Sequence, residues 1–240
     1  MTILPVEPAH GDIQIQPTPS LTSSPSSAHT KTEKSSVGYS IRQARGTEDA
    51  AKISRLLTEV FTITFGHSCT PSELEKYLKD CLSIGPINEE ILDPSSTWFL
   101  AISNKSKSKS KSKSESESES ESDERKNEIS KEEEEAEELL GIVQLIKGTR
   151  ESCVTLPRPI ELRRIYLSIS AHGSGIASSL FQIAESHSIG LGYQSIWLGC
   201  WEDNPRGLRF YQKSGYQICG EHMFDIGGSV QRDVILQKML

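Results

Sequence analysis

What the chain lacks narrows its class. Its 240 residues hold no apolar run near the ~18 that span a bilayer, so no transmembrane helix is expected. The N-terminus shows neither a basic segment followed by an apolar stretch nor an arginine-rich, acid-free leader: Glu7 and Asp12 come early, and Arg42 is the first arginine. Cysteine is sparse and unpatterned. Cys69, Cys81, Cys153, Cys200 and Cys219 make an odd number with no CxxC and no Cys/His spacing, which excludes a disulfide frame and a zinc site as expectations. The reading is a reduced intracellular protein without a metal, cytoplasmic, with the nucleus left open. Basic residues are outnumbered, 26 to 33, and form no sustained face, so nucleic acid is not the expected partner. Hydrophobic residues make up only 35%, too few for one compact domain of this length, so part of the chain is expected not to fold.

Two segments account for that dilution. Residues 1–37 are rich in Ser, Thr and Pro and almost free of aromatics, and are read as a disordered tail. Residues 104–138 run from a Lys-Ser repeat through a Glu-Ser repeat into Glu132–Glu135, a charged low-complexity insert. The insert carries 8 basic and 13 acidic residues, hence most of the net charge of −7. What remains of 38–240 has the size of a single domain.

That remainder alternates between strand and helix patterns. Tyr39–Arg45 reads as a strand. Thr47 is the expected N-cap of a helix with Ile53, Leu56, Leu57, Val60, Phe61 and Phe65 on one face. Thr70-Pro71 opens a second helix ending near Leu82. Thr97–Ser103 and Leu139–Lys147 read as a hairpin whose loop the insert has expanded, which costs little closure entropy. Glu161–Ile169 is a strand, and a Gly-rich turn after it leads into a helix bearing Leu180, Ile183 and Ala184. Ser195–Trp201 is a strand, Asn204-Pro205 starts a helix that Gly215 stops, and Tyr216–Phe224 with Gln231–Lys238 close the chain as a hairpin around Gly227-Gly228. This is an α/β pattern with a mixed sheet.

The chemistry is carried by two segments. A strand, a glycine turn and a helix start make a phosphate cradle: glycine lets the backbone approach, and the first helical N–H groups and the dipole favour an anion. The candidates are Gly173, Ser174, Gly175, Ile176, Ala177 and Ser178, and a plain tight turn is the competing reading. No third glycine fits a dinucleotide fingerprint, and no Lys-Ser/Thr follows as in a P-loop. About thirty residues on stands Asn204-Pro205-Arg206-Gly207-Leu208-Arg209-Phe210-Tyr211-Gln212-Lys213-Ser214-Gly215-Tyr216.

Together these segments resemble the GNAT superfamily of acetyl-CoA-dependent N-acetyltransferases. His172-x-x-Gly175-x-Ala177 matches its pyrophosphate loop, and Asn204 to Tyr216 its N-x-x-A-x-x-F-Y-x-K-x-G-F/Y segment. Phe65-Gly66-His67, Thr70-Pro71, Glu161 to Tyr166, Ile196 to Glu202 and Gly220-Glu221-His222 are similar to the PaiA type of spermidine/spermine acetyltransferase. The resemblance implies a mixed, mostly antiparallel sheet flanked by helices, with a parallel strand pair splayed at the cofactor cleft.

It also implies roles. Acetyl-CoA would lie on His172, Gly173, Ser174, Gly175, Ile176, Ala177 and Ser178, with Leu167 pairing the pantetheine arm, and Asn204 and Lys213 among the cofactor contacts. Tyr211 would protonate the leaving thiolate, unless it is a buried helix aromatic. Glu161 would be the general base through water, unless it is held in an ion pair with Arg163 or Arg164; simple alternation sets it on one face with Arg163, Ile165 and Leu167. His67 would line the acceptor pocket, or else cap its helix. Glu73, Glu221 and Asp233 are candidates for negative potential toward a polyamine, although most such acids are solvated surface. His172 stands where the family has Arg or Gln, and Gly207 where it has Ala.

The implied activity is acetyl transfer from acetyl-CoA to a primary amine, polyamines and other small amines first. A protein acetyltransferase is the alternative, as is a non-catalytic module that holds CoA. A homodimer, and a protein partner for the insert, stay open.

Overall fold

The computed structural model describes residues 38–104, 137–226 and 229–240. The tail 1–37, the repeats within 105–136 and the Gly227-Gly228 turn lie outside the described residues, so the expectations made for them are not addressed by it.

In chain order the elements are β1 Tyr39–Gln43, α1 Ala50–Phe65, α2 Pro71–Cys81, α3 Ile84–Leu92, β2 Ser96–Ser103, β3 Leu139–Ile146, β4 Pro159–Leu167, α4 Ile176–Gly190, β5 Ser195–Trp201, α5 Pro205–Lys213, β6 Gln217–Ile226 and β7 Ser229–Met239. Among the described residues seven strands form one sheet in the order β1-β2-β3-β4-β5-β7-β6. Every neighbouring pair is antiparallel except β4 and β5. That parallel pair is bonded only over Pro159–Glu161 against Ser195–Trp197, although both strands run on. Beyond those residues they part, and the sheet opens into the notch that the resemblance implied.

Each face of the sheet carries a core. On one side α4 and α5 press Ile176, Leu180, Phe181 and Tyr211 onto Leu162, Ile165, Leu167 and Leu198. On the other, α1 buries Ile53, Leu56, Leu57, Val60, Phe61 and Phe65 on Leu100, Ile142, Tyr166 and Trp201. Full burial of such side chains contributes roughly 1.5–3 kcal/mol each.

Three local expectations need correction. Thr47 does not cap α1: a 3-10 turn over Gly46–Asp49 precedes the helix, and the boundary residue is Asp49. The Asp49 carboxylate is committed elsewhere, accepting from Arg42 at 2.6 and 2.8 Å and from the Arg45 backbone at 2.7 Å. Helix α3 was not among the expected elements, and it contains Gly85-Pro86, residues that oppose a helix interior. Both residues fall in its first turn, where no N–H needs an intrahelical acceptor, so proline is tolerated. The third correction concerns β4. Gln144 of β3 opposes Arg164, but Leu145 opposes Leu162, so Arg163 is an extra residue in a β-bulge. The bulge reverses the strand's phase. Leu162, Ile165 and Leu167 share the α4 face, while Tyr166 joins the α1 face with its partner Ile142. Glu161 therefore does not share a face with Ile165 and Leu167.

The insert starts and ends on fixed points. Ser103 N–H donates to the Glu138 carbonyl at 2.9 Å, and Asn104 N–H to Gly38 at 2.9 Å. Glu137, counted with the insert by composition, accepts from Arg42 at 2.7 Å and from Lys52 at 3.1 Å.

Candidate active site

The glycine turn is built as an anion cradle requires. Gly173 and Gly175 have φ of 75° and 89°, conformations that side chains with a Cβ avoid. Gly175 is the N-cap of α4 and supplies no side-chain cap. The N–H groups of Ala177 and Ser178, in the first helical turn, have no intrahelical acceptor. Gly173, Gly175 and Ser178 are exposed, so the turn is open to a ligand. Ser174 Oγ bonds back to the Ala171 carbonyl at 2.6 Å and steadies the loop. His172 turns inward: its ring bonds the Leu167 backbone, and burial lowers its pKa below the usual histidine value. Beside the loop a small cavity of about 90 Å³ is lined by Ser170, Ser174 and Ile176 together with the insert's anchors Ser103 and Glu138.

The splay brings the second segment to this loop. Asn204 Oδ1 accepts from Gly207 N–H at 2.9 Å and caps α5. A Cβ on Gly207 would meet the Asn204 amide at 2.6 Å, so the glycine here gives the cap its room. Tyr211, on the inner face of α5, is fully buried among Phe181, Phe210 and Tyr216. Burial pushes its phenol well above the ordinary tyrosine value, and Cys200 on β5 adds to the rise. Its hydroxyl has no hydrogen-bond partner among the described residues. Leu167 ends β4 in the same cluster as Tyr211, while Lys213, in the last turn of α5, is exposed.

Glu161 is placed differently from the rest. It is the last bonded residue of β4 against β5 and is buried. Arg163 grips both carboxylate oxygens, Nε at 3.1 Å and Nη2 at 3.0 Å, and Thr149 donates at 2.6 Å. The carboxylate is thus engaged in the ion pair named as its alternative role. His67 is exposed in the α1–α2 loop, its ring 6.0 Å from that of Trp201, which also packs edge-on against Phe65. Glu73 closes the capping box of α2 with Thr70, and Glu221 accepts from Arg232 at 2.9 Å.

Two residues carry more than the sequence suggested. Asp233, on β7, is fully buried opposite Trp201 at the open end of the splay. Tyr166, on β4, is fully buried on the same face. Burial raises the Tyr166 phenol, and the Asp233 charge raises it further. Burial lifts the Asp233 carboxyl to about 7, against which His222 is the opposing influence. The sequence offered Asp233 only as one of three acids that could face a polyamine, and Tyr166 only within a segment of resemblance; sheet register brings the two together.

Residues 90–216 match the family model for the acetyltransferase (GNAT) family. That span is more than half of the chain. The protein belongs to the GNAT acetyltransferase family. Among its GNAT relatives is an uncharacterized N-acetyltransferase of Lactobacillus delbrueckii subsp. lactis, 25% identical over 194 residues that make up 80% of this chain and 93% of that one. An uncharacterized Mycobacterium tuberculosis N-acetyltransferase is 30% identical over 102 residues, covering 42% of this chain and 61% of its own. In fold, this GNAT enzyme is similar to the PaiA N-acetyltransferase of Thermoplasma acidophilum solved with coenzyme A, with a TM-score of 0.58, 18% identity, and coverage of 85% of this chain and 99% of that one. The family places the chain among N-acetyltransferases, and the strand order with its single parallel, splayed pair is the GNAT fold.

Proposed function

We propose that the enzyme transfers acetyl from acetyl-CoA to a primary amine of a small molecule, polyamines first. The observation that carries this is the joining of the glycine cradle at α4 to Tyr211 across the splayed β4/β5 pair. The coenzyme A bound by the PaiA fold relative supports the donor, and the polyamine resemblance of the segments around His67, Glu161 and His222 supports the acceptor.

In this reading the N–H groups from Gly173 to Ser178 hold the pyrophosphate, and the edge of β4 at Leu167 offers backbone to the pantetheine arm. The acceptor amine attacks the thioester carbonyl, the C–N bond forms, and the C–S bond breaks. Tyr211 donates its phenolic proton to the departing sulfur. Its raised pKa keeps it protonated, and the same apolar surroundings raise the basicity of the thiolate, so donor and acceptor stay matched.

Tyr211→Phe keeps the ring and its packing and removes only the donor. General acid contributions run about 10²–10⁴-fold, so kcat is expected to fall at least about tenfold even where water substitutes, with acetyl-CoA affinity nearly unchanged. A thiol-release assay over an amine panel, with a thermal melt beside it, reads both. An unchanged kcat under rate-limiting chemistry removes Tyr211 from the mechanism. Thiol release by the wild type with a peptide but no small amine turns the reading to a protein acetyltransferase, and acetyl-CoA binding without release turns it to a holding module.

The insert is read as a bystander to this chemistry. Its anchors Ser103 and Glu138 already belong to the β2/β3 edge, so replacing residues 105–136 by a short Gly-Ser turn should leave the melt and the kcat on a small amine nearly intact. A folded deletion variant without activity would overturn this.

A further inference from the structure

Among the described residues four charged side chains are buried: Asp49, Glu161, Arg164 and Asp233. Asp49 holds Arg42, Glu161 holds Arg163, and Arg164 holds Glu90 and Gln144. Asp233 alone of these has no hydrogen-bond partner for either carboxylate oxygen among the described residues. A buried carboxylate without a cation is costly, so its retention points to a cation that arrives with the substrate. Its surroundings fit one. Sheet register puts Trp201 beside it on β5, and Tyr166 shares the face, so two aromatic side chains border the carboxylate where an ammonium would be held.

We infer that Asp233, not Glu161, receives the acceptor ammonium of the substrate and takes its proton. The inference rests on the acetyl-transfer reading above and names its acceptor side. The protons balance as follows. An ammonium loses two on becoming an amide. The first passes to the Asp233 carboxylate and from there to solvent, which frees the nitrogen lone pair to form the C–N bond. The second leaves the acylated nitrogen and replaces the proton that Tyr211 gives to sulfur as the C–S bond breaks. Glu161 cannot serve in the same way while Arg163 and Thr149 occupy both its oxygens.

The titratable groups that interact with Asp233 are Tyr166 from β4 and His222 from β6, with Cys200 of β5 on the other face of the sheet. Glu151 stands behind His222, its carboxylate 3.4 Å from Nδ1, and His67 lies beyond Trp201. Burial raises both the phenol and the Cys200 thiol, so they stay neutral near pH 7. His222 is raised by its bond to Glu151. Asp233 is therefore the group whose charge changes around neutrality with nothing but an imidazole to compensate it, and the acid limb of kcat/KM should follow it.

Two measurements test this on the full chain. Asp233→Asn should lower kcat/KM for spermidine by at least about 100-fold and flatten its acid limb, with acetyl-CoA affinity kept, while Glu161→Gln keeps both limb and base function. Independently of turnover, ¹³C-aspartate-labelled protein saturated with coenzyme A should show one carboxyl titrating near neutrality, absent from Asp233→Asn. Adding spermidine should move that titration to lower pH, since an ammonium favours the carboxylate. An Asp233→Asn variant with wild-type kcat/KM and acid limb, or a resonance indifferent to spermidine, overturns the inference. A wild type that acetylates no amine refutes the acetyl-transfer reading instead, and the carboxyl titration still decides on Asp233.

Discussion

Gly175→Glu is expected to abolish acetyl-CoA binding. The substitution does three things at once. It forces a side-chain-bearing residue to φ of 89°, a conformation that costs about 1–2 kcal/mol. It places bulk over the first-turn N–H groups of α4, and it sets a negative charge where a pyrophosphate must sit. Charge-assisted hydrogen bonds contribute about 1.5–3 kcal/mol each. Loss of two of them weakens binding by about 100-fold or more, at roughly 1.4 kcal/mol per tenfold. Gly175→Ala separates the contributions. Nothing lies within 4 Å of a Cβ built there, so alanine carries the strain without the clash or the charge. Calorimetry should find acetyl-CoA binding nearly kept in the alanine variant and lost in the glutamate variant, with both folded by thermal melt. Equal affinities in wild type and Gly175→Glu would remove the loop from the cofactor site.

The second large effect is on stability. A carboxyl whose pKa rises from 3.8 to about 7 on folding binds its proton more tightly in the folded chain. Stability is therefore greatest below the unfolded value, falls as pH rises between the two, and is constant above the folded one. For Asp233 that window runs from 3.8 to about 7. The full cost above it is roughly 4 kcal/mol, at about 1.36 kcal/mol for each pH unit. Asp233→Asn removes the charge but buries an amide in its place, which returns about 1–3 kcal/mol of that as desolvation. The variant should therefore exceed the wild type in stability at alkaline pH and lose the advantage in acid. His222, raised first by its bond to Glu151 and further by the Asp233 charge, also loses stabilisation as pH rises; the Glu151 part is common to both proteins, so the difference between their denaturant midpoints reads Asp233 together with its coupling to His222. Parallel pH profiles for the two would show that the carboxyl is not buried as a charge. A gain in stability with a loss of activity is what a group kept for function, against the interest of folding, should show.

The sequence carried the elements whose signals are local. Helical spacing marked α1, Thr70-Pro71 marked the start of α2, and glycines at 173 and 175 marked a turn that needs left-handed backbone. The mixed sheet followed from the order of the elements, and its splay came through resemblance. Helix α3 was hidden because the breaking power of Gly85-Pro86 depends on position in the helix, which composition does not show. The faces of β4 were misread because alternation assumes an unbroken register, and the bulge at Arg163 appears only against β3. The burial of Asp233, named only as one of three candidate acids, was hidden for a related reason. Beside Arg232 it reads as surface charge, and Arg232 is indeed exposed and bound to Glu202 and Glu221. Only the pairing of β7 with β5 carries the next residue inward.

That one extra residue in β4 also divides the strand into two independent reading frames. Before Arg163, odd positions face the side opposite α4; after it, even positions do. Straightening the bulge with Arg163 kept would swing Arg164 and Tyr166 into the core beneath α4 and Ile165 and Leu167 toward α1. The strand can thus carry a buried ion pair at Glu161 and an apolar bed at Leu167 only while the shift between them is kept. Deleting Arg163, by contrast, would leave every side chain from Arg164 to Leu167 on its present face and opposite its present β3 partner, and would take from Glu161 its arginine.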